Sequence, residues 1–273
     1  MTSQPTTQLT PAELLAVAAG GWGYAEAEWI DGWHARASER FTNRANSAWP
    51  VDLPDASGGP DLARTLTALR SWYAARDLPA LAQCVAGSEL DHAIAACGYD
   101  RAEQLSQRQN ARVDVVLAAL ARYGADSRPG TDCVLTDRPD AGWLSVYRAG
   151  TLPPVAPRVL GDGDDGIRFA TITDARDGAT LAIGRVALSA VPGTGGPAAW
   201  AGIAGIEVVP AARRRGLAKA VIRELIDWAA GRGVADVFLE VFSTNAAALE
   251  LYRTLGFSVH HAYHYRVLES RLG

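Results

Sequence analysis

The segment Arg213-Arg214-Arg215-Gly216-Leu217-Ala218-Lys219 carries the strongest chemical signal in the sequence. It follows Ile206-Glu207-Val208-Val209-Pro210, an apolar run that reads as a strand stopped by proline. It leads into a helix expected over 217–230, whose apolar residues Leu217, Val221, Leu225 and Trp228 recur at steps of four and three. The first N–H groups of a helix have no intrahelical acceptor, and the helix dipole adds partial positive charge there. Small Gly216 and Ala218 let an anion approach the backbone, and the arginines and Lys219 add charge. A pyrophosphate is the anion this arrangement suits. The spacing is neither that of G-x-x-x-x-G-K-[ST] nor that of G-x-G-x-x-G.

Two carboxylates deserve notice. Glu207 and Glu240 each sit in an apolar strand segment, where a charge is costly unless it is paired, faces a cleft or reaches solvent. His260, His261 and His264 lie close together, with His260 and His264 on one strand face and His261 on the other by simple alternation. No cysteine or carboxylate stands near them to complete a zinc set, so no metal is expected. The segment reads as a pocket wall or ordinary strand surface.

Around these residues the sequence predicts alternating strands and helices. A helix is expected from Pro11 to Ala19 with Thr10 as its cap. Paired strands are expected over 32–36 and 44–49, a helix from Asp61, a strand over 80–85 and a helix over 89–96 ending at Gly98. Residues 101–114 read as extended, 115–123 and 137–149 as helices, and 150–166 as a loop. Strands follow near 169–173, 181–188 and 200–209, then the long helix, a strand over 237–242, a helix over 246–255 and a closing strand over 258–267. The strand, short helix and glycine–aromatic layout of 80–99 returns at a constant offset in 238–257. Two copies of one unit are expected, divided as 1–125 and 126–273.

Val208-x-Pro210-x-x-Arg213-x-x-Gly216-x-Ala218 resembles the acetyl-CoA motif of the GNAT (GCN5-related N-acetyltransferase) superfamily. Asn245-x-x-Ala248-x-x-Leu251-Tyr252-x-x-x-Gly256-Phe257 resembles its second signature, in the right order and at the right separation. The match covers about residues 165–267. The resemblance implies an α/β fold with a mixed, mostly antiparallel sheet and flanking helices. It implies that Ile206, Glu207 and Val208 splay from the neighbouring strand and pair with pantetheine, that Arg213, Arg214, Arg215, Gly216, Leu217, Ala218 and Lys219 hold the pyrophosphate, and that Asn245 binds nearby. It makes Tyr252 the general acid and part of the cofactor site. The Leu239-Glu240-Val241 layout is similar to ribosomal-protein alanine acetyltransferases, where the matching glutamate is the base; Glu207 is the rival.

The implied activity is transfer of an acetyl group from acetyl-CoA to a primary amine, on a small molecule or a peptide N-terminus. The other class left open is an inactive acyl-CoA-binding sensor. The first copy has Ile94, Gly87 and Ala82 where the second has Tyr252, Asn245 and Glu240, so it resembles a degenerate half that packs against the active one and shapes its acceptor site.

Bulk properties fit this reading. A net charge of -4 over 273 residues gives no support to nucleic-acid binding. No apolar run reaches membrane-span length and the first residues do not read as a signal peptide. Three scattered cysteines, Cys84, Cys97 and Cys133, suit reduced thiols, and a cytoplasmic monomer or homodimer is expected.

Overall fold

The computed structural model describes residues 9–51, 57–59, 61–102, 115–120, 133–193, 195–234 and 236–268. Thr10 caps helix α1 (Pro11–Gly20) through a capping box with Glu13. Strands β1 (Glu26–Ile30), β2 (Trp33–Ala37) and β3 (Ala48–Pro50) follow, then α2 (Leu62–Ala74), β4 (Leu81–Val85) and α3 (Glu89–Ala96). After β5 (Val115–Leu120) come β6 (Cys133–Thr136), α4 (Ala141–Val146), α5 (Ala156–Leu160), β7 (Ile167–Thr173), β8 (Thr180–Ser189) and β9 (Trp200–Val208). The chain closes with α6 (Leu217–Ala230), β10 (Asp236–Phe242), α7 (Ala246–Thr254) and β11 (Ser258–Val267).

All the strands join in one sheet of order β1-β2-β3-β4-β11-β5-β10-β9-β8-β7-β6. Its pairs are antiparallel except β3 with β4 and β9 with β10. The sheet is therefore mixed and mostly antiparallel, with helices packed on it, as the sequence led us to expect. The repeat is visible too. Gly98 and Gly256 both turn left-handed, with φ of 87° and 92°. At each, the following aromatic N–H returns to the helix, Tyr99 to Ile94 O at 3.4 Å and Phe257 to Tyr252 O at 3.1 Å.

The two copies interlock. Strand β5 lies between β10 and β11, paired with both. Residues 258–263 of β11 pair with β5, and residues 263–267 pair with β4 of the first copy. A core of Trp22, Phe41 and Ala45 with Trp143, Tyr147 and Phe169 joins the copies on another side. No helix among the described residues is long and apolar enough to cross a membrane.

Several local expectations are corrected. Residues 115–120 form a strand, not a helix. Val-Val-Leu-Ala-Ala-Leu is a continuous apolar run, which periodicity cannot assign, and pairing on both edges decides for the strand. Residues 103–114 and 121–123 lie outside the described set. The helix expected over 137–149 is only α4, capped by Asp140, with Trp143 N–H donating to Asp140 Oδ1 at 2.7 Å. Beyond α4, Arg148 and Ala149 turn left-handed at φ 51° and 54° and end any helix. Within the loop expected over 150–166 lies α5, where Pro157 occupies a first-turn position that tolerates proline.

Candidate active site

The parallel pairing of β9 and β10 runs from Trp200 opposite Asp236 to Ile203 opposite Leu239 and stops there. Beyond it, residues 204–208 of β9 and 240–242 of β10 diverge. A bulge deepens the split: Arg185 faces Ala204 while Ile183 faces Glu207, so β9 spends one residue more than β8. Gly205 absorbs it at φ 62°. A Cβ there would lie 3.2 Å from the Tyr147 ring, so glycine also admits that close contact.

A cavity of about 240 Å³ fills the split, and its wall includes Ile206, Glu207, Glu240, Asn245 and Tyr252 together with Arg44, Tyr147 and Arg148. Two sequence signatures, from β9 and from α7, thus meet at one place. Val208 lies at the end of β9. The Asn245 side chain caps α7, Oδ1 accepting from the Ala248 N–H at 3.1 Å. The Tyr252 hydroxyl has no hydrogen-bond partner among the described residues, and burial pushes its pKa up to about 12. It is a neutral donor at pH 7, facing the cavity.

Arg213–Lys219 do not line this cavity. They continue from the end of β9, where Arg213 Nε donates to Val208 O at 3.2 Å. Arg214 and Gly216 take left-handed φ of 64° and 82°, folding the loop so that α6 starts at Leu217 with no side-chain cap. The side chains of Arg213, Arg214 and Arg215 are exposed, and nothing lies within 4 Å of a Cβ at Gly216. The Ala220 N–H is the first to find an acceptor in the helix, at Gly216 O. The N–H groups before it, of Leu217, Ala218 and Lys219, front open space beside positive charge. These residues fit a pyrophosphate.

The two carboxylates differ. Glu207 accepts from the Arg148 N–H at 3.2 Å, and burial raises its pKa against the pull of Arg148. Glu240 is engaged at both oxygens. Tyr263 Oη donates to Oε1 at 2.5 Å, and Arg44 Nε donates to Oε2 in an ion pair. Burial, with the Glu240 carboxylate next in weight, carries the Tyr263 hydroxyl well above its ordinary range.

Sequence reasoning missed Arg44, Tyr147, Arg148 and Tyr263. Arg44 stands 196 positions before Glu240, in a single 3-10 turn, Asn43–Ala45, of the first copy, and no local pattern marks it. Arg148 was hidden by reading 137–149 as helix. The histidines lie outside the cavity wall. A bulge between Val259 and His261 breaks the simple alternation expected there. His260 and His261 face each other Nδ1 to Nδ1 at 2.8 Å, and His264 Nε2 meets Asp91 Oδ1 at 2.7 Å. Among the described residues no group of three or more His, Cys, Asp or Glu could hold a metal ion.

The architecture recurs in solved structures. A GCN5-related N-acetyltransferase from Kribbella flavida superposes with a TM-score of 0.65 over 96% of each chain at 13% identity. A tandem GNAT protein from the clavulanic acid biosynthesis pathway gives 0.55, over 81% of this chain and 74% of that one, at 14% identity. Both likenesses speak for the fold. In sequence, the chain is 28% identical over 273 residues to "Probable histone acetyltransferase Rv0428c" of Mycobacterium tuberculosis, covering 99% of this chain and 78% of that protein. A stretch of 53 residues is 49% identical to the [Ribosomal protein bS18]-alanine N-acetyltransferase of Escherichia coli, 19% of this chain and 36% of that one. A family model described as "Probable histone acetyltransferase Rv0428c C-terminal" matches residues 12–266. With that match spanning nearly the whole chain, the protein belongs to this acetyltransferase family, and its fold is of the GNAT type.

Proposed function

We propose that the protein is an acetyl-CoA-dependent N-acetyltransferase whose single active site is the split between β9 and β10. The observation that carries this reading is the meeting of Tyr252, Asn245 and Glu240 in one cavity at the open edge of β9. Pantetheine adds to that edge as an extra strand, and its pyrophosphate lies on the N–H groups of 217–219 with Arg213–Arg215 around it. Residues 126–273 do the chemistry; residues 1–125 do not bind acyl-CoA.

The neutral amine attacks the thioester carbon and the C–S bond breaks. Glu240 takes the amine proton, directly or through a water, and Tyr252 gives its proton to the departing thiolate. The Val209 N–H is spent on Leu181 O at 3.0 Å. On an extended strand the preceding N–H, that of Val208, points to the opposite edge, into the split, where it would stabilise the oxyanion.

A second reading of the base has its own support. Among the described residues Glu207 has one donor on its carboxylate, and burial raises its pKa, both suited to a proton acceptor. The bS18 enzyme is named for acetylating an alanine of a ribosomal protein, and another relative, 40% identical over 53 residues, is named streptothricin acetyltransferase. The acceptor screen therefore covers lysine peptides, peptide N-termini and amine antibiotics, each with acetyl-CoA. Turnover with one class supports the reading; acetyl-CoA binding with no turnover on any class would leave a sensor.

A further inference from the structure

The Glu240 side chain is 7% exposed, and among the described residues its cationic partner is Arg44, which comes from the other copy of the repeat. That arginine is itself held firmly. Its carbonyl oxygen accepts from Arg36, whose other guanidinium nitrogen donates to Ala19 O at 2.9 Å. Its guanidinium lies 5.2 Å from the Trp22 ring centroid, on a ring that Arg185 also approaches at 5.0 Å. Its side chain is 24% exposed and forms part of the cavity wall. A tie between two packed domains would need neither that placement nor that partner.

We infer that Arg44 is a positioning residue: it fixes the orientation and the charge of the Glu240 carboxylate, so that the copy without acyl-CoA chemistry completes the active site of the copy that has it. The inference rests on Glu240 being the base. A buried carboxylate needs a counter-ion to remain ionised, and one held at both oxygens keeps a single orientation toward the cavity. Tyr263 fixes one oxygen and supplies no charge. The other ionisable groups around Glu240 are Arg36 on β2, Tyr147 and Arg148 after α4, Glu207 on β9, Tyr252 on α7 and Tyr265 on β11. Among the described residues Arg44 alone brings a positive charge into contact with the carboxylate.

The test compares the parent, R44Q and R44K in the full chain, by acetyl-CoA turnover with a primary-amine acceptor and by calorimetric CoA binding. R44Q is expected to lower kcat about tenfold or more, with CoA affinity and the acceptor KM kept within about twofold. R44K, which keeps the charge, is expected to recover most of kcat, to within about threefold of the parent. Parental kcat in R44Q overturns the inference, and so does an R44K variant no faster than R44Q. Should R44Q fail to fold, an R44K variant as slow as E240Q overturns it equally. Failure of the underlying function is read separately: E240Q with parental turnover removes Glu240 as base whatever the Arg44 variants show.

Discussion

Asp91 Oδ1, on α3 of the first copy, lies 2.7 Å from His264 Nε2 and accepts from Arg266 Nε at 2.7 Å, both partners being on β11 of the second. Its other oxygen accepts from the Gly87 N–H at 2.9 Å. The side chain is 1% exposed, so this is a buried polar junction across the repeat. D91A leaves Arg266 and His264 without their acceptor and is expected to cost about 3–5 kcal/mol. Chemical denaturation of parent and variant measures it, and a loss below ~1 kcal/mol would show the junction to be replaceable.

Acid should destabilise the protein well before the carboxylates titrate. Burial lowers the pKa of His264 below 6.5, and burial, helped by neighbouring positive charge, takes His34 and His261 to about 4. In the unfolded chain these rings take up protons as the pH falls through 6.5; in the folded protein they resist, so stability declines from there down to about 4. Asp91 acts in the same direction at lower pH. Burial alone would raise its carboxyl, but the Gly87 N–H and Arg266 outweigh this and hold it below its ordinary value. Melting temperature should therefore fall as the pH drops from 6.5 to about 4, and H34Q should flatten part of that slope. A flat profile over this range would contradict the neutral, buried histidines.

Y252F removes a hydroxyl that lines the cavity and has no hydrogen-bond partner among the described residues. Turnover with acetyl-CoA should fall by about 10²–10⁴. Binding of CoA, measured by calorimetry, should persist, because the ring still fills its place against Phe257. Full turnover in this variant would remove Tyr252 as the acid.

The two glutamates separate by substitution. E240Q is expected to lower kcat by about 10²–10⁴, and E207Q by less than about tenfold. The reverse order would move the base to Glu207, and the acid limb of the pH–rate profile should then disappear in E207Q.

At Gly216 a side chain has room but the wrong backbone. G216V pays about 1–2 kcal/mol for its left-handed conformation. Its methyl groups also project into the open space in front of the α6 amides. The dissociation constant for CoA should rise about tenfold or more, while the melting temperature falls by only about 2–8 °C. Unaltered affinity would place the pyrophosphate elsewhere.

The residues of the proposed cofactor site could be picked out from sequence because they are local to one another. Arg213, Gly216 and the start of α6 act through backbone geometry that a short stretch of sequence specifies, and Asn245 and Tyr252 share one helix. The repeat was legible for the same reason, since strand, helix and the glycine turns at Gly98 and Gly256 follow each other closely. Strand β5 was misread because a central strand, paired on both edges, loses the alternation that marks half-buried ones. Arg44 could not be found from spacing at all. Its role depends on which turn the fold brings to Glu240, and the left-handed Arg148 depends likewise on contacts with Glu207 and Phe41 that are remote in sequence.

The position of β11 has a consequence for biosynthesis. In chain order it follows every other described strand, yet it lies in the interior of the sheet, between β4 and β5. While a ribosome is still making residues 258–267, β4 must wait with an open edge, an invitation to mispairing. The pairing of β11 with β4 also joins residues far apart in the chain, which makes its formation slow. Tyr263, the hydroxyl that fixes Glu240, arrives on the same strand. The nascent protein thus gains its finished sheet and the hydroxyl that holds the Glu240 carboxylate in one late step.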